Sequence, residues 1–565
     1  MMKKILGVLL LSASLILPNI SHAASVPDEQ WAPALENLPA GTQGYLAQES
    51  AFLSTQNSFY ANIIALDGQH VDTVTACASS SAPGCEFITK QTMTAVLPMC
   101  ASASDKDCIV EVTAKDDSGK NLTVSNNGMY PLRRTEDFAA DPSINLPAGS
   151  GASLFTIPEA THAGGNQYLV KITLSGSRDH GQKFQNLQLR SSIYAVKTVT
   201  GTYSDLKLGT EVAGYDSINR ITMRSWGPNG GVMPDRNCVV TSLTECALPY
   251  AIPKNIKFGY TLRLSNPIVG WLHGRLRSPE ISLNTTPSAT ELTVSALPVQ
   301  VPTVEVSAPV DELSPALKEH YSTHQWVGGG TLYPRDSKQG GSYGPDDLIS
   351  GRAKNIGYRH QLTFFNTEAM QEFVAWLPLM KDKASAMPTM WTLNTMFNYG
   401  QGNDTVSKCL NQTNSLAGLV TTNSIMYLDG PPTYDKSGGS LDYKVASTHY
   451  EADGTTVFKG TYDLVMSSKV ARCIYNFTSA PINATISVTS ESGEPNIATT
   501  VVSEKNGWLS LGAYNFTFSN TTVQVKLSQA APAPAKITPK NITCVKGKST
   551  KVVTTATCPA GYKKK

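Results

Sequence analysis

Alternating apolar and polar positions recur along the chain and predict short β-strands. The residues Phe59–Leu66 and Val71–Ala76 flank Asp67-Gly68, a pair that accepts the positive φ angles of a tight hairpin turn. Further strand candidates are 168–174, 193–202, 282–306, 485–489, 498–502, 508–511 and 523–527. Prolines between 282 and 306 restrict those strands to sheet edges or strand ends. Many short strands separated by turn signals predict sandwiches or barrels.

Two segments show a helical period instead. The first is predicted after the N-cap Ser314 and Pro315, with Leu317, Tyr321 and His324 on one face. The second begins after Asn366 or Thr367 and ends at Pro378. Its apolar residues recur at i, i+3, i+4 and i+7: Met370, Phe373, Val374 and Leu377.

These patterns predict a mainly β, multi-domain, β-sandwich-like architecture with a small mixed α/β section and a short C-terminal disulfide hairpin. The predicted sections are a signal peptide (1–23), an N-terminal β-rich domain (24–185), a second β-rich domain (186–308), the mixed α/β section (309–400), a C-terminal β-sandwich-like domain (401–528), an Ala/Pro linker (529–536) and a basic disulfide hairpin (537–565).

The N-terminus has the pattern of an export signal. Lys3 and Lys4 precede the apolar run Ile5–Leu17, and Ser21-His22-Ala23 fits a small-x-small cleavage site. The run is shorter than the roughly 20 residues of a transmembrane helix, and a retained anchor is the alternative. We therefore expect a secreted or cell-surface protein without a transmembrane segment.

Ten cysteines follow this signal, and six of them form three C-x7-C loops. An even cysteine count in an exported chain predicts a disulfide framework, although sequence does not determine the connectivity. Pairing neighbours gives five predicted bridges: Cys77–Cys85, Cys100–Cys108, Cys238–Cys246, Cys409–Cys473 and Cys544–Cys558. The fourth spacing suggests an immunoglobulin-like intersheet bridge, but no tryptophan lies within it. Structural zinc favours C-x2-4-C spacing, so neither a metal nor a cofactor is predicted.

Charge is segregated at the C-terminus. Eight lysines and no acid lie in the last thirty residues: Lys536, Lys540, Lys546, Lys548, Lys551, Lys563, Lys564 and Lys565. Without these and the two signal lysines, 36 basic residues stand against 44 acidic ones, so the mature body is near −8. Such a tail predicts binding to anionic cell-envelope polymers, and a solubilising end is the alternative. The negative body disfavours nucleic acid.

The tail pattern ITCVKGK…CPAGYKKK is similar to a short C-terminal tail on exported actinobacterial proteins. The stretches GWLHGRLRSPEISL, DKASAMPTMW, LDYKVAS and VARCIYNF resemble an uncharacterised exported actinobacterial family. The resemblance implies surface or extracellular fate and supplies no catalytic residue.

Candidate chemistry is sparse, because phosphate-loop and zinc-hydrolase motifs are missing from the sequence. The segment 326–347 combines glycines, aromatic rings and polar side chains that could bind a sugar. Its candidate ligand-binding residues are Trp326, Tyr333, Arg335, Tyr343, Asp346 and Asp347. The alternative is an irregular loop whose aromatic rings pack into the core. Adjacent carboxylates such as Asp346 and Asp347 are expected to point apart.

His320 and His324 have i, i+4 spacing and could share a metal with His360 or Glu319, but exposed helix histidines are the favoured interpretation. Catalytic residues therefore stay unknown and the enzyme question stays open. We expect an exported structural or binding protein, with a secreted hydrolase acting on glycans or envelope polymers as the alternative. Ligand and oligomeric state are not predicted.

Overall fold

The structure is a computed structural model. It describes residues 38–49, 58–64, 73–86, 90–131, 137–200, 239–241, 245–323, 329–333, 345–352, 354–361, 366–396, 408–409, 416–428, 430–478, 482–489, 495–496, 499–518, 521–529, 541–554 and 557–565. The predicted signal peptide, the Asp67-Gly68 turn and residues 530–536 of the predicted linker lie outside these ranges.

The strands of the first half are β1 (Thr42–Ala47), β2 (Phe59–Ile64), β3 (Thr73–Ala76), β4 (Lys90–Val96), β5 (Cys108–Lys115), β6 (Ser125–Tyr130), β7 (Ala152–Thr156), β8 (Gln167–Asp179), β9 (Gln188–Thr200), β10 (Val240–Thr241), β11 (Glu245–Tyr250), β12 (Lys257–Leu264), β13 (Gly270–Arg275), β14 (Arg277–Thr285), β15 (Thr290–Leu297), β16 (Val299–Gln300) and β17 (Val304–Pro309). Those of the second half are β18 (Gly329–Tyr333), β19 (Gly357–Gln361), β20 (Thr389–Met390), β21 (Thr392–Thr395), β22 (Leu416–Thr422), β23 (Met426–Tyr427), β24 (Thr433–Asp435), β25 (Ser440–Ala446), β26 (Lys459–Ser467), β27 (Ile482–Thr489), β28 (Pro495–Asn496), β29 (Thr499–Lys505), β30 (Trp508–Thr517), β31 (Thr521–Gln529), β32 (Ile542–Lys546), β33 (Ser549–Val553) and β34 (Lys563–Lys564). The α-helices are α1 (Pro315–Ser322), α2 (Pro345–Ile349), α3 (Thr367–Trp376) and α4 (Ser468–Tyr475).

The mainly β prediction is confirmed, and so are both predicted helices. Ser314 caps α1 by accepting a hydrogen bond from the Leu317 N–H, and Asn366 caps α3 in the same way through the Ala369 N–H. The predicted hairpin strands also pair, since β2 runs antiparallel to β3. The short helices α2 and α4 were not predicted.

One sheet of fifteen strands forms the centre of the fold. Its main path is β29-β30-β26-β22-β13-β21-β9-β8-β4-β2-β3. Within it, β13 runs antiparallel to β21 and parallel to β22. Strands from four predicted sections therefore pair in one sheet, and whether any section folds alone stays a prediction.

Two smaller sheets pack against this large sheet in the manner of sandwiches. The sheet β14-β15-β12-β5 contributes Tyr260, Leu292 and Val294 to a core shared with Ile172 and Ile193 of the large sheet. The sheet built on β25, β31 and β27 forms a second core with β26, β30 and α4. Apolar residues that alternate along the strands fill both cores.

A third unit combines the four-stranded sheet β17-β1-β19-β18 with α1 and α3. Strand β1 pairs antiparallel with β17 and parallel with β19. The predicted mixed α/β section supplies the helices, β18 and β19, whereas β1 and all of β17 except Pro309 come from sequence outside it. This unit is called the mixed α/β unit below.

Four of the five predicted disulfides are present: Cys77–Cys85, Cys100–Cys108, Cys409–Cys473 and Cys544–Cys558. Cys246 is also disulfide-bonded, but Cys238 lies outside the described residues. The intersheet placement of Cys409–Cys473 is wrong, because Cys473 lies on α4. Among the described residues, no helix is long and apolar enough to cross a membrane.

The C-terminal disulfide hairpin has three strands rather than two. Strand β32 pairs antiparallel with β33 and, on its other side, with the short β34. Within the described ranges these three strands pair only with one another. We call this unit the tail sheet.

Candidate functional site

The structure describes only part of the predicted ligand-binding segment. Trp326, Arg335 and Tyr343 lie outside the described residues, and Tyr333 lies on β18 with its side chain undescribed. Asp346 and Asp347 lie in the first turn of α2 and are buried. The structure therefore brings together two of the six residues, and the binding role of all six stays a prediction.

The expectation that Asp346 and Asp347 point apart is wrong. Both carboxylates contact the same Arg352 nitrogen, with Oδ2 of Asp346 at 2.8 Å and Oδ1 of Asp347 at 2.5 Å. The expectation assumed that the two residues lie on a strand or a loop, whereas both lie on a helix. Both carboxylates are engaged by one arginine nitrogen, so this arrangement favours a structural role for the pair.

A buried polar cluster lies in the mixed α/β unit, between the sheet and its helices. Glu372 of α3 is at its centre, and three side chains from other elements converge on it. Tyr321 of α1 donates its hydroxyl to Oε1 at 2.5 Å, and Nδ1 of His360 on β19 lies 2.6 Å from the same oxygen. Nε2 of His320 lies 3.5 Å from Oε2. We call these residues the Glu372 cluster.

The interpretation of His320 as an exposed helix residue is therefore wrong. Its side chain is only 13% exposed, because α1 packs against α3. His324 lies outside the described residues, so its placement is not tested. His360, the residue that the metal alternative paired with His320, does reach the same carboxylate. No group of three or more metal-ligating side chains in the described part of the chain is arranged to hold a metal ion.

Aromatic rings enclose the Glu372 cluster. The Trp376 indole donates to the Tyr321 hydroxyl at 2.8 Å, and the Tyr45 ring stacks on Trp376 with 5.8 Å between ring centroids. Tyr45 is adjacent to His360 in the sheet register. Burial by these rings strengthens each electrostatic contact, because water is excluded.

The electrostatics of the Glu372 cluster separate an ionised carboxylate from protonated tyrosines. Burial by itself would raise the pKa of Glu372, but its contacts with the His320 and His360 rings outweigh it, and the pKa is lowered. Burial, followed by the charge of Glu372, raises the pKa values of Tyr321 and Tyr45 well above their ordinary range. Chemically, Glu372 can hold a proton on Nδ1 of His360 and fix the orientation of that ring.

A second buried charge joins the mixed α/β unit to the large sheet. Arg275 of β13 is 1% exposed and Glu49, just after β1, is 4% exposed, with 2.7 Å between Nε and Oε2. Arg275 also donates to the carbonyls of Thr422, Ser424 and Ile425. Arg275 therefore connects groups of both units, and removing either charge would leave the other buried without its partner.

Asp463 of β26 is the third buried charge, and it lies on the large sheet. It accepts hydrogen bonds from the Tyr514 and Thr421 hydroxyls and the Ser278 backbone N–H. Burial raises its pKa to about 6, and these neutral donors offset burial only in part.

Unlike the three buried charges described above, the charged side chains of the tail sheet are exposed and positive. All six described lysines are exposed: Lys546, Lys548, Lys551, Lys563, Lys564 and Lys565. No acid accompanies them in residues 541–565. The tail sheet can therefore attract an anionic partner.

The chain matches no protein-family model, and no curated protein matches it. The actinobacterial resemblance stays a prediction, and the function is inferred from geometry and charge.

Sequence reasoning missed Glu372, Arg275 and Asp463. A signal for Glu372 was present, since it shares a helix face with Trp376 at i+4. Arg275 and Asp463 interrupt apolar strands, and a charge in such a run indicates a buried pair or network.

Proposed function

We propose that the protein is exported and acts at the cell surface or outside the cell as a structural or binding protein. In this proposal the disulfide-stapled β body is held at anionic envelope polymers by the tail sheet. The supporting observation is the charge of that sheet: six exposed lysines without an acid, on a unit whose own bridge, Cys544–Cys558, fixes its fold.

The binding free energy expected for one lysine indicates that the cluster, rather than any single residue, retains the protein at the envelope. Each lysine near an anionic surface contributes about 1 kcal/mol, and six together can hold a protein. The attraction is electrostatic, so salt weakens it. Raising ionic strength from about 0.1 M to about 1 M shortens the Debye length from about 10 Å to about 3 Å.

The test compares the full-length mature protein with a chain ending at Gln529, by co-sedimentation with isolated cell envelopes. We expect the full-length protein to bind at low salt and dissociate at high salt, and the truncated protein to stay in solution. The unfolding midpoint of the body serves as control and should not change, because the tail sheet pairs with no described strand of the body. Equal envelope binding by the two chains would contradict the proposal.

The alternative, a secreted hydrolase acting on glycans or envelope polymers, has one supporting observation. Glu372 orients the His360 ring through Nδ1, as a carboxylate does for a general base. A hydrolase screen on folded protein tests it: turnover lost in Glu372→Gln and kept in Glu368→Gln, on the same helix but exposed, would favour the hydrolase. Turnover lost in Asp346→Asn would instead favour the 326–347 segment.

A further inference from the structure

The two faces of the tail sheet differ in what covers them. Cys544 points to one face and is fully buried, because its bridge to Cys558 draws the following segment over that face. Gly561 of this segment lies against the Lys546 side chain, which points to the same face. Lys551 and Lys564 are the register partners of Cys544 and border this covered face.

The opposite face carries an apolar pair beside a cationic edge. Val545 is aligned with Lys563, and Thr543 with Val552, so these side chains share the face. Lys565 follows two residues after Lys563 and donates its backbone N–H to the Thr543 carbonyl. Val552 is 59% exposed, the highest value among the exposed large apolar side chains of the described residues. We call this the open face.

The chemistry of the open face fits a lipid–water boundary. A hydrated polyanion would be attracted by the lysines but would gain nothing from an exposed valine. At a bilayer surface, valine can enter the head-group region while the neighbouring lysines reach phosphates. Resting on the proposal that the tail sheet holds the protein at the anionic envelope, we propose that the open face docks on the anionic phospholipid head groups of that envelope, in addition to its polymers.

The experiment uses the full-length protein and vesicles of equal parts phosphatidylcholine and phosphatidylglycerol. Lys563→Gln with Lys565→Gln should weaken binding by about tenfold or more, since each lysine contributes about 1 kcal/mol at such a surface. The charge-matched control, Lys551→Gln with Lys564→Gln, removes two lysines from the covered face and should have a clearly smaller effect.

The valine is tested separately. Val552→Thr keeps the β-branched shape and should weaken vesicle binding by about fourfold, the effect of about 0.8 kcal/mol per buried carbon. Val501→Thr is the control, because Val501 is 50% exposed on β29 of the body. Peptide mapping of Cys544–Cys558 in each variant verifies that the tail sheet is intact.

Three results would overturn this inference while leaving envelope retention in place. They are equal losses from the two lysine pairs, unchanged vesicle binding by Val552→Thr, and binding to a polyphosphate resin without binding to vesicles. Failure of the Gln529 truncation to release the protein from both vesicles and resin would instead reject the proposed function itself.

Discussion

Glu372 and Asp463 are both buried carboxylates that interact with three donor groups, yet their pKa values shift in opposite directions. Burial raises the pKa of each carboxylate, so the opposite directions of the two shifts come from the groups that contact them. Asp463 is bonded by two hydroxyls and a backbone N–H, which carry no net charge. Glu372 faces two histidines, which can carry positive charge. Contacts with the histidines therefore outweigh burial at Glu372, whereas neutral donors, together with the charge of Arg277, offset burial only in part at Asp463.

The largest expected effect on stability comes from removing the Glu372 carboxylate, which faces the two histidines. Glu372→Ala should lower the free energy of unfolding by about 4 kcal/mol at neutral pH, because it leaves His360 and Tyr321 buried without their acceptor. Chemical denaturation measures it. Glu368→Ala, on the exposed face of α3, is the matched control and should change little.

The pH dependence of this effect has a definite sign. The folded pKa of Glu372 is lowered, so the ionised carboxylate stabilises the fold above its unfolded pKa. That stabilisation is lost as the pH falls through the folded value. The difference between Glu372→Ala and wild type should therefore shrink in acid, and a constant difference would show that cavity formation dominates.

A smaller effect of opposite sign is expected at Asp463. Its folded pKa of about 6 lies above the ordinary 3.8, so its stabilising contribution is fully present below 3.8 and is lost as the pH rises through 6. The loss over that window is about 3 kcal/mol as an upper estimate. Asp463→Asn should remove this pH dependence, as measured by denaturation at several pH values.

Asp442→Asn provides the control for that series, because Asp442 is only half-buried on β25 and hydrogen-bonds Ser440 and Gln524. It should keep the wild-type pH profile. Identical profiles of wild type and Asp463→Asn between pH values of about 4 and 7 would mean that Asp463 titrates normally, and the contrast with Glu372 would fail.

Sequence predicts those parts of this molecule whose causes are local. Ser314 and Asn366 cap helices through residues three positions ahead, and Cys77 and Cys85 close a short loop. These features need no knowledge of distant strands. Their placement could therefore be predicted before any sheet was known.

The large sheet and the Glu372 cluster could not be predicted in this way. The pairing of β13 with β22 joins Trp271 to Gly418, and no local pattern specifies which distant strand fits. Binary patterning of α3 selects Met370 and Phe373 as buried and passes over Glu372, because a carboxylate is normally counted as exposed. Its burial depends on donors from α1 and β19, which only the assembled fold brings together.

The smallest expected effect comes from the same substitution in both regions. Tyr514→Phe removes one neutral donor from Asp463, and Tyr321→Phe removes one from Glu372. Tyr514→Phe should cost about 1.5 kcal/mol at neutral pH, the usual value for a hydrogen bond to a charged group. Tyr321→Phe should cost more, because it also leaves the Trp376 indole N–H without its acceptor. The two costs should respond differently to acid. Asp463 takes up its proton near pH 6, so the cost of Tyr514→Phe should shrink by pH 5, whereas Glu372 stays ionised there and the cost of Tyr321→Phe should persist. Denaturation of both variants at the two pH values measures this, and equal responses would show that the two carboxylates do not differ in ionisation.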